Sequence, residues 1–478
     1  MEQHGEAVDR APGTLKDFST DPRVRLDEGE LRSRDRRRHI RRRNAVLGVV
    51  LAIVVLLAVV IPFGLQGSTK LNAHDHIAMR IGTAVQLVSD AHENGSATRG
   101  TLSKAVAQSE QQFSLSLLNK LSRNASPMSN IVISPFSLAS ALSMLELGAR
   151  GATKSQIAHV LSTDKLTAQQ QAAGWSALSA ELEASATTNG ASLRSANSLW
   201  LQQGFAMDPS FMSSLSRYFA SGVWQVNFAS DPQAAIDALN TWVARETHGH
   251  ITSLFTPGAI TTQTALVLAN AVYFKAAWQK AFLGRNTVNS FHLINGTSSS
   301  VPFMNTLAGD PLKVPAYVGP NVDAIELPNR GGQIAALVIM PTSGPITKFT
   351  TSLTSVRFDE LISELTPAKV QLAMPTFALD SSQSLVSTLK DLGMQNAFTN
   401  NADFSAMSPT AVHVGAVVQS DTLHVNRWGT EASAATGIAV ALSNRPASVR
   451  LTINHPFLFL IRDVQTGTIL FEAEVANP

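Results

Sequence analysis

The stretch Gly429-Thr430-Glu431-Ala432-Ser433-Ala434-Ala435-Thr436 (GTEASAAT) is the most informative part of this 478-residue chain. Its small residues supply neither the apolar stripe of a helix nor the bulky alternation of a core strand. Taken alone, it reads as a flexible linker. Gly437 to Pro446 (GIAVALSNRP) follows, strand-compatible yet exposed in character, and strand signals flank the whole segment on both sides. As a strand, the segment would present two different faces, because side chains alternate. Thr430, Ala432, Ala434, Thr436, Ile438 and Val440 form a face that is small, or apolar and β-branched. Glu431, Ser433, Ala435 and Gly437 form the other, where a charge can stay wet.

Downstream, Val449 to Ile453, Phe457 to Ile461 and Ile469 to Val475 read as strands, with a hairpin turn at Gln465-Thr466-Gly467-Thr468. Upstream, Ala265 to Phe274 (ALVLANAVYF) reads as a buried strand. Earlier still, helix signals dominate. Val106, Phe113, Leu117 and Leu121 share one helical face. Asp231-Pro232 caps and opens a helix with Ile236, Leu239 and Val243 inward, and Gly249 stops it. Helices mainly first and strands mainly later imply an α+β fold. Residues 101–478 read as one domain without internal repeats.

Hydrophobic residues make up 44% and charged residues 15% of the chain, as in a protein with a substantial core. There is no cysteine, which excludes disulfides, thiolate zinc sites and cysteine nucleophiles. Residues 1–44 hold 12 Lys/Arg and 9 Asp/Glu, which leaves the remainder near neutral and argues against a nucleic-acid partner for the folded part. Eight arginines crowd between Arg32 and Arg43. Directly after them, Ala45 to Leu65 runs 21 residues without a charge. As a helix it would be about 31 Å long, enough to cross a hydrocarbon core. The preceding arginines predict a cytoplasmic N-terminus. A cleaved signal peptide would have a shorter apolar run and a small-x-small site, which Phe63-Gly64-Leu65-Gln66 does not offer. The organisation read from the sequence is therefore a disordered cytoplasmic basic tail (1–44), a transmembrane helix (45–65), a stalk (66–100) and a folded domain (101–478). The domain would sit outside the cytoplasm on a single-pass cell-membrane anchor. Ile77, Ile81, Val85 and Val88 suggest a partly helical stalk.

Nucleophile-elbow, H-E-x-x-H, P-loop, G-x-G-x-x-G and EF-hand patterns are all absent. His248-Gly249-His250 comes nearest to a metal pair and reads better as a helix-end turn. His74 and His76 read as solvated stalk residues. No metal or cofactor is expected, and no enzymatic activity.

Several motifs recur in register with those of one family. Asn130 to Thr153 (NIVISPFSLASALSMLELGARGAT), Ala196-Asn197-Ser198-Leu199-Trp200, Asn240-Thr241-Trp242-Val243 and Leu268 to Phe274 with Trp278 are four of them. Met374-Pro375-Thr376-Phe377, Leu392-Gly393-Met394, Ala402-Asp403-Phe404-Ser405 and His455-Pro456-Phe457-Leu458-Phe459 complete the set. Together with GTEASAAT, they resemble the serpins over residues 101–478.

The resemblance implies a serpin fold, with helices packed on a large central β-sheet, two further sheets and an exposed reactive loop. It implies a suicide-substrate inhibitor of serine endopeptidases. The protease cuts the loop and forms an acyl-enzyme, and the freed loop enters the main sheet as a new strand and distorts the enzyme before hydrolysis. Gly429 to Thr436 would be the hinge. Ser134, Ser137, Asn270 and Gln419 match the polar cluster that guards sheet opening. Gln419 stands where the family usually has histidine, so weaker pH dependence is expected there. Arg427 stands where an acidic residue is usual, which puts the hinge-anchoring salt bridge in doubt.

The cleaved bond would be Ser443–Asn444, or Leu442–Ser443 on a shift of one. These suit elastase-, subtilisin- or chymotrypsin-like proteases, whereas Arg445-Pro446 disfavours trypsin-like ones. A monomer is expected. The alternative is a non-inhibitory serpin acting as a binding or carrier protein at the cell surface, whose hinge would carry large, charged or proline residues.

Overall fold

A buried helix, Pro135–Gly148, touches strands of two sheets, and the computed structural model is laid out around it. The structure describes residues 79–88, 99–219, 222–430 and 448–478. Local chemistry sets the start of this helix. The Ser134 side chain accepts from the Ser137 N–H, and Pro135 occupies the first turn, where its missing N–H costs nothing. Nearly every side chain in it is buried, the polar Ser137, Ser140, Ser143 and Glu146 included. Gly148 lets it approach the segment around Met407: a Cβ there would lie 2.8 Å from that of Met407.

The main sheet has eight strands, in the spatial order β1 (Arg80–Ile81), β2 (Ala84–Val88), β5 (Gly222–Val226), β4 (Ser192–Gln202), β6 (Leu266–Ala277), β15 (Gly429–Thr430), β14 (Val414–Asn426) and β13 (Phe377–Ser384). Its two central long strands, β6 and β14, are buried on both faces; β6 reads accordingly as a near-continuous apolar run, whereas β14 buries the polar stretch Gln419 to Thr422. On one side lies the main core with the helix Pro135–Gly148. On the other, the helix Pro232–Glu246 covers a smaller cluster in which Trp200 stacks on Trp224 and meets Trp242 edge-on. Asp231 caps that helix by accepting from the Ala234 N–H, as its sequence predicts.

The second sheet runs β3 (Ile131–Ile133), β18 (Ile469–Val475), β17 (Phe457–Asp463), β11 (Ile334–Pro341), β10 (Val322–Pro328), β9 (Leu312–Val318), β12 (Thr366–Pro375), β8 (Ser298–Asn305) and β7 (Thr287–His292), with β16 (Val449–Thr452) beside β12. The α+β expectation holds. The two further sheets that the resemblance implies are joined here into one through β12, which pairs with β9 through residues 366–370 and with β8 through residues 373–375.

The helical stalk expected within residues 66–100 is corrected at 80–88. There Ile81 pairs with Ala84 around Gly82-Thr83, and the hairpin adds β2 antiparallel to β5 at the sheet edge. Gly82, at φ 55°, supplies the positive angle that a two-residue hairpin turn needs. Ala84 and Gln86 point inward at period two, a pattern that the four-residue spacing of the β-branched residues hid. The membrane span expected at 45–65 lies outside the described residues. Among the described residues no helix is long and apolar enough to cross a membrane.

Candidate functional site: the sheet opening and the root of the loop

β6 and β14 run parallel and pair directly from Leu266/Val414 to Val272/Asp421. Beyond that they part, and β15 occupies the gap. Thr430 pairs with Val425 on one side and Ala276 on the other; Gly429 pairs with Asn426 and Ala277. The first two residues of the expected hinge thus form a strand between β6 and β14. Thr430 is fully buried, and its Oγ1 has no partner among the described residues. Cross-strand partners share a face, so Thr430 lies on the side of Val425 and Ala276, both buried.

The turn that delivers this strand is firmly held. The Asn426 side chain accepts from the Trp428 N–H at 2.8 Å. The Trp278 indole donates to the Asn426 carbonyl at 2.8 Å, and the Trp278 N–H donates to that of Trp428 at 2.9 Å. Arg427, at the position where the resemblance implies an acidic residue, makes contacts of its own. Its guanidinium donates to the carbonyls of Phe282 (3.0 Å) and Gly284 (3.1 Å) and lies 5.2 Å from the Trp428 ring. The Phe282 N–H donates back to the Arg427 carbonyl.

The polar cluster sits lower, where β6 and β14 still pair. Asn270 stands directly opposite Gln419 in that ladder. Across the neighbouring ladders Asn197 faces Asn270, and Gln383 faces Gln419. A row of four amides therefore crosses the sheet from β4 to β13. The Asn270 amide donates to Ser137 Oγ and to Asn197 Oδ1. Ser137 Oγ lies 2.7 Å from Ser195 Oγ. Ser134 Oγ donates to the Leu470 carbonyl at 2.6 Å, which ties the helix start to the second sheet. Gln419 Nε2 donates to the Ser134 carbonyl and to Asp421 Oδ1, both at 2.9 Å.

Sequence reading found Ser134, Ser137, Asn270 and Gln419, and the structure brings all four to one place. It missed Asn197, Ser195, Gln383 and Asp421. Period two along β14 was the available signal for Asp421, since it shares a face with Gln419. Asp421 changes the electrostatic expectation. It is fully buried, and desolvation pushes its carboxyl up to about 8, even though Gln419 and the Ser134 backbone bond to its charged form. The cluster thus has a titrating group that a glutamine in place of histidine had seemed to remove. The remaining expected hinge residues Glu431, Ala432, Ser433, Ala434, Ala435 and Thr436, and the candidate bond residues Leu442, Ser443 and Asn444, lie outside the described residues. Among the described residues no group of three or more His, Asp or Glu is placed to hold a metal ion.

A central sheet with a two-residue strand wedged into its opening, over a buried polar cluster, defines a class. The family model described as Serpin (serine protease inhibitor) matches residues 108–478. The chain belongs to the serpin family. It is 32% identical to the leukocyte elastase inhibitor of Xenopus tropicalis, over 77% of this chain and 97% of that protein. It is 31% identical to an uncharacterized serpin-like protein of Thermococcus kodakarensis, over 78% of this chain and 86% of that protein. Among solved structures, native protease nexin-1 with heparin superposes with a TM-score of 0.68 at 29% identity, covering 79% of this chain and all of that one. The thermophilic serpin tengpin in its native state gives 0.73 at 22% identity, over 83% of this chain and all of that one, and speaks for the fold alone.

Proposed function

We propose that this serpin is an inhibitor that traps a serine protease covalently and works once. The observation that carries the proposal is Thr430, buried between β6 and β14 with Gly429 beside it. A hinge seated in the opening sets the direction and face of further insertion. By period two, Ala432, Ala434 and Thr436 would follow Thr430 onto the core-facing side, and all are small enough to pass.

In this reading the protease serine Oγ attacks the Ser443 carbonyl carbon, and the Asn444 amine leaves with a proton. The ester joins loop to enzyme. Insertion then separates β6 from β14 downward through the Asn270–Gln419 pair, and the enzyme is carried along and deformed. Loss of a single oxyanion-hole donor slows a serine protease about 10²–10³-fold, so partial distortion is enough to strand the ester. Leu442 and Ser443 favour elastase-, subtilisin- or chymotrypsin-like targets, in keeping with the leukocyte elastase inhibitor among the relatives. Residues 45–65 would hold the domain at the membrane, outside the cytoplasm.

The test is incubation of the full chain with elastase-, subtilisin-, chymotrypsin- and trypsin-like proteases, read by denaturing gel and mass spectrometry. A denaturant-resistant adduct with one of the first three is expected, with a released peptide starting at Asn444 or Ser443 and no adduct with trypsin. Loop cleavage by all of them without any adduct would refute inhibition.

A further inference from the structure

We infer that a second site, at the root of the loop, binds a small anionic amphiphile: an apolar body carrying one carboxylate or comparable anion. A cavity of about 370 Å³ opens between β9, β10 and β12 and the segment after β6. That volume is within the range of small-molecule sites, about 300–1,000 Å³. Trp278, Phe282, Leu312 and Leu327 line it, all buried and apolar. Three lysines, Lys280, Lys313 and Lys369, line it as well.

The lysines are not equivalent. Lys280 Nζ is neutralised by Asp310 Oδ1 at 2.6 Å. Lys313 and Lys369 stand directly opposite each other in the β9–β12 ladder and have no carboxylate partner among the described residues. Like charges at directly opposed positions weaken a sheet. Two cations side by side on adjacent strands at the rim of an apolar cavity, Lys313 exposed and Lys369 half-buried, with no carboxylate partner among the described residues, make the complement of an anion on a hydrophobic body, and a bound anion would relieve their repulsion. An uncharged ligand would leave it in place.

The cavity also lies between the two anchorages of the loop. Trp278 and Phe282 hold the turn at Asn426–Trp428. On the other side the Ser448 N–H donates to the Lys369 carbonyl at 2.9 Å, and the Lys369 N–H donates to Ser448 Oγ at 3.0 Å. Occupancy therefore touches both ends from which the loop departs. The binding itself does not depend on the inhibitory reading.

The experiment titrates the full chain with naphthalene-2-carboxylate, and with neutral naphthalene-2-carboxamide as control, by calorimetry. Amide hydrogen exchange then maps the protected segments. Saturable one-to-one binding of the carboxylate is expected, at least about tenfold tighter than the amide, with protection in residues 312–318 and 366–372. The Lys313→Gln/Lys369→Gln variant should lose that tenfold preference and, unliganded, melt at a higher temperature than the parent. Absence of saturable binding, equal affinity in the double variant, or protection confined to other segments would overturn the site. An unchanged melting temperature would overturn the argument from charge repulsion.

Discussion

Gly429 packs so closely against β6 that a Cβ would lie 2.1 Å from the Ala276 carbonyl oxygen and 2.7 Å from the Ala277 Cα. Backbone atoms cannot swing aside as a flexible side chain can. Gly429→Ala should therefore lift the two-residue strand out of the sheet, at a cost of about 1–3 kcal/mol of the kind overpacking exacts. The measurable result is a lower melting temperature and a shift of protease reactions from adduct toward cleaved loop. Asp421 is the second residue on which the account turns. Its ordinary value is 3.8 and its folded value about 8. The neutral acid favours the fold fully below about pH 4. As pH rises toward 8 the unfolded chain releases a proton that the folded protein retains, so stability falls across that window. Asp421→Asn should flatten the fall, measured as the denaturation midpoint at pH 5 and pH 8. An equal drop in variant and parent would show that Asp421 does not titrate as its burial implies.

At the scale of elements, the β1–β2 hairpin shields the outer edge of β5 from other chains. Removing residues 1–88 should expose the ladder groups of β5, and exposed edges recruit other strands. Concentration-dependent oligomers in that variant, against the parent at equal concentration, are the expected outcome; identical sedimentation of the two would contradict it. This hairpin also marks where the sequence was hard to read. Ile77, Ile81, Val85 and Val88 imitate helical spacing, and only Gly82-Thr83 signals the turn. The long strand β6 was easy, because burial on both faces leaves an unbroken apolar run, whereas the helix Pro135–Gly148 was reached through its motif and β14, with Gln419 to Thr422 in its middle, shows no such run. The cross-sheet row of amides was half legible. Asn270 and Gln419 were placed by motif, whereas their alignment with Asn197 and Gln383 depends on strand register, which a single sequence does not display.

For the whole molecule, the proposed mechanism makes the main sheet an incomplete one. β6 and β14 pair with each other through residues 266–272 and 414–421 and, among the described residues, with the expected hinge through Gly429 and Thr430. A full inserted strand would gain ladder bonds on both of its sides, each contributing about 0.5–1.5 kcal/mol net, and would bury the small face that begins at Thr430. The row of amides and Asp421 is what must yield before that gain is realised. Cutting the loop frees its hinge end without requiring any ester. The most direct measurement is therefore to cleave the loop of the full chain with a metalloprotease, which forms no acyl-enzyme, confirm by mass spectrometry a cut between residues 437 and 446, and record thermal unfolding before and after. The cut protein is expected to melt well above the intact one. A cut protein that melts at the same temperature or lower would contradict loop insertion, and with it the proposed mechanism of inhibition.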